Sequence, residues 1–140
     1  MPRDLAAIQA GFAASEDWIG KSAVTELAPG YRYGFRIKID SVRNLVSIRP
    51  GIANVAGQRV AVNETTVITD EEWTTDRVAE THYYIYLAKT GEFFVAPTPP
   101  SYDELLSAYY HPDLGHLGMG RVFVDSNKQV IYASNEYGRY

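Results

Sequence analysis

Between Tyr31 and Asp40 apolar and polar residues take turns: Tyr31, Tyr33, Phe35, Ile37 and Ile39 alternate with Arg32, Gly34, Arg36, Lys38 and Asp40. A period of two belongs to a half-buried strand, because successive side chains point to opposite faces. The run predicts an aromatic–aliphatic inner face and a cationic outer face. Shorter runs of the same kind recur at Leu45–Ile48, Val67–Ile68, His82–Ala88, Glu92–Ala96, Gly120–Val124 and Gln129–Ala133. A hairpin spans Val55–Val60 with Gly57 at its tip, and Val62 resumes the alternation. Turn signals separate the runs: Ser41–Asn44, Pro50-Gly51, Lys89-Thr90-Gly91, the cluster Pro97, Pro99 and Pro100, and Asp125–Lys128. About eight short strands so spaced predict an all-β fold, an antiparallel β-sandwich or small barrel.

Helical patterning is confined to two places. Asp4 can cap a first helix whose Leu5, Ile8 and Phe12 share one stripe, with alanines supplying propensity. A helix of about a dozen residues is marginal alone in water, so this stripe needs a docking partner. Residues 1–28 are therefore read as a short N-terminal α-helical arm and residues 29–140 as the β-domain. Leu5, Ile8 and Phe12 are its candidate assembly residues. A second short helix is expected at Tyr102–Tyr110, where Leu105, Leu106 and Tyr109 share a face. Between the two, residues 70–80 read as an acidic loop with at most one helical turn.

Composition excludes several classes. A chain of 140 residues has room for one domain with a core of its own. It has no cysteine, which excludes disulfides, thiolate zinc sites, iron–sulfur clusters and cysteine nucleophiles. No apolar run approaches the roughly 18–20 residues that span a bilayer, and neither membrane insertion nor a secretory leader is expected. Residues 1–60 carry eight Lys/Arg against five Asp/Glu, and residues 61–140 carry five against twelve. Halves of +3 and −7 favour association between copies, whereas a net charge of −4 disfavours nucleic acid.

Chemistry has few footholds. His111, Asp113 and His116 suggest either a divalent-metal site or a turn in which His111 binds backbone; Pro112 prevents the regular helix that would align the histidines. Gly115, Gly118 and Gly120 precede a strand instead of leading from a strand into a helix, so they fit a bend better than a phosphate cradle. No nucleophile elbow occurs, and neither an enzymatic activity nor a cofactor is expected. The strongest compositional signal is aromatic: eleven tyrosines, five phenylalanines and two tryptophans. Those beside polar loop residues, Trp73, Tyr102, Tyr109 and Tyr110, together with His111, are the candidate surface-binding residues, because such rings bury area at low entropic cost. With Asp103 and Glu104 nearby, the same aromatics allow an alternative: a carbohydrate-binding domain or small sugar-active enzyme.

The stretches Ser47–Gly57, Thr81–Leu87, Pro100–Asp103, Tyr110–Pro112 and Leu117–Asp125 resemble, in order and type, small β-rich structural proteins of tailed-bacteriophage virions. The resemblance covers roughly residues 45–133. Arg121 follows the glycines of the last stretch, where the family pattern places an arginine before them. The resemblance implies a non-enzymatic virion component, a tail-fibre, baseplate or head-fibre module. It also implies a homo-oligomer, commonly a trimer, that contacts other virion proteins and a host surface glycan.

Overall fold

The computed structural model describes residues 27–40 and 42–135, so the expected helical arm with Leu5, Ile8 and Phe12 lies outside the described residues. These residues form twelve short strands in three antiparallel sheets, a sandwich-like all-β arrangement. The first sheet joins β1 (Arg32–Gly34), β4 (Gly51–Val55) and β5 (Gln58–Val62). The second joins β2 (Ile37–Asp40), β3 (Leu45–Ile48) and β6 (Thr66–Ile68). The largest runs β8 (Phe93–Ala96), β7 (Thr81–Leu87), β11 (Leu117–Val124), β10 (Ala108–Tyr110), β9 (Ser101–Asp103), with β12 (Val130–Ser134) also paired to β11. One core serves all three sheets: Val55 and Val60 from the first, Val46 and Ile48 from the second, and Ile85, Leu87, Val122 and Val124 from the third.

The long strand expected from Tyr31 to Ile39 is two strands in different sheets. Phe35 adopts a left-handed φ of 57° after Gly34 at 84°, and its ring is fully buried. That break shifts the alternation, so Tyr33 is 68% exposed while Arg32 is buried. The cationic outer face survives only at Arg36 and Lys38, which are both exposed. The partner ribbon bends at the same level: Gly34 pairs with Gly51 and Ile37 with Ile48. Between them the Phe35 amide donates to the Pro50 carbonyl, and the Arg49 amide donates to the Arg36 carbonyl. Pro50-Gly51 is thus the corner at which a two-stranded ribbon passes from one sheet to the next, a common device in sandwiches.

The hairpin expected at Gly57 forms, with Ala56 and Gly57 both at positive φ, as a two-residue turn requires. Strand β11 organises the largest sheet. One flank pairs along β7; the other pairs with β10 at Leu117 and with β12 from Arg121 to Val124. The register against β7 slips by one residue between Gly118 and Gly120. A Cβ at Gly118 would lie 3.1 Å from the Pro100 ring, and one at Gly120 would collide with the Ser134 carbonyl and the Ile37 side chain. Gly118 and Gly120 lie within β11 and not before it as expected, and they let other chain segments close onto that strand.

The helix expected over Tyr102–Tyr110 does not form. The Asp103 carboxylate accepts from the Leu105 and Leu106 amides, and Ser107 takes a φ of 55°, so the chain turns back as a hairpin. A short acidic side chain bonding two residues onward competes with the helix for those amides. In the acidic segment a single 3₁₀ turn does form at Asp70–Glu72, closed by a capping box between Thr69 and Glu72.

Candidate functional site

The β9–β10 hairpin places Tyr102 opposite Tyr109, with ring centroids 5.2 Å apart in an edge-on contact. Both are on the surface: Tyr102 is 53% exposed and Tyr109 36%. Beyond them the tip carries Leu105, 90% exposed, while Leu106 turns inward against the core. The result is an apolar ridge in which two exposed rings and an exposed leucine lie on one hairpin.

The neighbouring residues are not on the surface. Tyr110 is only 5% exposed; its hydroxyl accepts from the Ala56 amide at 2.8 Å and donates to the Asn54 carbonyl at 3.3 Å. Burial, reinforced by the charge on Asp103, raises the Tyr110 phenol above its usual range despite that amide. It is a stitch between the hairpin and the β4–β5 turn, available because it alternates inward from Tyr109. His111 is also buried. Its Nδ1 accepts from the Asp113 and Leu114 amides at 3.1 and 3.2 Å, and its ring meets Tyr86 edge-on at 5.0 Å. His116 stacks on Phe94 at 5.2 Å, and burial first, then the nearby His111, lowers its imidazole below the usual value. The His111–His116 segment is therefore built as a turn around His111. Among the described residues no three His, Asp or Glu side chains converge as metal ligands would.

Tyr102, Tyr110 and His111 line one cleft of about 520 Å³ between the β9–β10 turn and the turn after His111. Asp103 and Glu104 share it, but the Asp103 carboxylate is occupied by its own turn. Trp73 is elsewhere. It bridges to Val95 beside β8, packs edge-on against Tyr83 at 4.8 Å, and is 9% exposed. As surface-binding candidates, Trp73, Tyr110 and His111 are corrected to buried positions; Tyr102 and Tyr109 are exposed.

Comparison of the chain with known protein families, with characterised proteins and with solved structures gives no match. Two features escaped the sequence reading. The spacing of Leu105 puts it on the face of a helix, and only the Asp103 turn brings it to a tip. Arg77 lies across the Trp73 ring, 4.4 Å from its centroid, in a second cleft of about 870 Å³. Nothing in the spacing of Trp73 and Arg77 announces that stack, because residues 74–79 follow no regular period.

Proposed function

We propose that this chain is a structural component of a bacteriophage virion, a tail-fibre, baseplate or head-fibre module that works by protein–protein assembly and takes part in host attachment. The observation that carries the assembly reading is the ridge of Tyr102, Leu105 and Tyr109. Apolar side chains of this size gain roughly 25 cal/mol per Å² of apolar surface removed from water, and aromatic anchors dominate interfaces. The polar atoms around the ridge are directed to the fold instead: Asp103, Tyr110 and His111 all bond backbone groups. The order of hairpins from residue 45 to 133 supports the virion reading, and a trimer is the stoichiometry that the resemblance implies. Complementary charge between the two halves of the chain would orient copies, while the apolar ridge would hold them.

Size-exclusion chromatography with light scattering, in low and in high salt, tests this reading. The expected result is a homo-oligomer at micromolar concentration that salt weakens only in part, since apolar contacts are not screened. A monomer in both conditions contradicts it.

A further inference from the structure

The second cleft has a chemistry that assembly does not use. Its floor is the Trp73–Arg77 stack, and Asn44 and Thr75 are among the polar side chains that line it. Arg43, whose guanidinium is already paired with Asp40 at 2.7 Å, and Lys128 also line it, set against the carboxylates of Asp70 and Asp76.

Arg77 has donors to spare at that floor. The Arg77 side chain is only 15% exposed, yet its contacts to oxygen are long: 3.4 Å to the Lys128 carbonyl and 3.5 Å to Asp70, whose own side chain is 96% exposed. A guanidinium presents five N–H donors in a planar fork suited to a carboxylate, so most of this fork's capacity is unused. The indole N–H of Trp73 is buried without an acceptor. Such groups are normally satisfied, and a buried donor without a partner costs about 1–3 kcal/mol.

We propose that the Trp73–Arg77 cleft binds a carboxylate-bearing saccharide, such as a uronic or sialic acid residue. Arg77 receives the carboxylate, with Lys128 supplying long-range attraction. Asp70 and Asp76 accept hydrogen bonds from the sugar hydroxyls, and Thr75 and the amide nitrogen of Asn44, whose oxygen is held by the Val130 amide at 2.7 Å, bond them as well. The two carboxylates decide the class: they would repel a run of acidic peptide side chains, whereas a monoacidic sugar brings hydroxyl donors for them. A volume of about 870 Å³ lies within the range of small-ligand sites, roughly 300–1,000 Å³. This site goes beyond the assembly reading and stands without it.

The test is titration of the full ¹⁵N-labelled chain with glucuronate and with N-acetylneuraminate, against glucose and a triglutamate peptide, read by NMR. Tryptophan occurs twice in the sequence, at Trp18 and Trp73, so Trp18→Phe assigns the indole signal of Trp73. At least one acidic sugar is expected to bind ten times or more tighter than glucose, to shift the Trp73 indole resonance, and to weaken at least tenfold in Arg77→Gln. Thermal melting confirms that this variant is folded. Should it fail to fold, Lys128→Glu, at an exposed turn position, replaces it and is expected to weaken binding several-fold. Binding of neither acidic sugar overturns the proposal. So does equal binding of glucose, tighter binding of the peptide, an unmoved Trp73 signal, or full affinity in the folded variant.

Discussion

Tyr83 and Tyr86 on β7 and Tyr102 and Tyr109 on the β9–β10 hairpin are the same residue in the same kind of strand, with opposite fates. The β7 pair is 1% exposed. Tyr83 accepts from the Val78 amide at 2.6 Å and donates to the Asp76 carbonyl at 3.2 Å, while Tyr86 donates to the Thr98 carbonyl. Tyr83 faces the core; Tyr86 points the other way and is covered by His111 and the residues after β8. On the hairpin, Tyr102 and Tyr109 lean on each other and remain in part open to solvent. A tyrosine is buried where a neighbouring segment both covers its ring and supplies a partner for its hydroxyl. The difference separates rings that hold the fold from rings available to a partner.

The largest effect is expected in β7. Tyr86→Ala should destabilise the chain by about 3–5 kcal/mol, since it removes a buried ring and leaves a cavity. Chemical denaturation measures this, and a loss below about 1 kcal/mol would break the distinction. Tyr110→Phe probes the hairpin's inward residue. It leaves the Ala56 amide without its acceptor and should cost about 1–3 kcal/mol. Melting curves of this variant beside Tyr102→Phe, which keeps the half-exposed ring and should change little, set the hairpin's inward residue against its outward one.

His116 tests the same rule through pH. Its folded value lies below the ordinary 6.5, so the unfolded chain takes up the proton first as pH falls. Stability should therefore decline as pH drops from about 6.5 through the lowered folded value. His116→Gln should show a smaller decline over that window, measured as melting temperature against pH. An identical decline in both proteins would show that burial of His116 does not disfavour its protonation. The smallest effect on stability is expected for Leu105→Ser, within about 0.5 kcal/mol, because the side chain is 90% exposed.

How much of this was legible depended on whether the signal was local. Strands β3, β6, β7 and β8 and the β11–β12 hairpin follow runs whose alternation or turn residues mark them directly. The corner at Phe35 was not legible, because a left-handed phenylalanine is unfavourable alone and is held by the core that buries its ring. The β9–β10 hairpin was misread as a helix because Leu105, Leu106 and Tyr109 suit a helical face, and the Asp103 carboxylate decides against it. Of the five aromatic and histidine candidates, Tyr102, Tyr110 and His111 meet around one cleft, but alternation turns Tyr110 inward and the Asp113 and Leu114 amides claim His111. Trp73 joined a different site because its environment is set by Tyr83 and Arg77 through tertiary packing.

The exposed ridge, and not the buried rings, is expected to mediate assembly. Sedimentation equilibrium of the full chain and of Leu105→Asp, both at micromolar concentration and both checked by melting, addresses it most directly. Leu105 is 90% exposed, so the variant should melt with the wild type. The wild-type chain should be an oligomer, expected to be a trimer, and Leu105→Asp a folded monomer. A wild-type monomer, or a Leu105→Asp variant that assembles as tightly as the wild type, would contradict it.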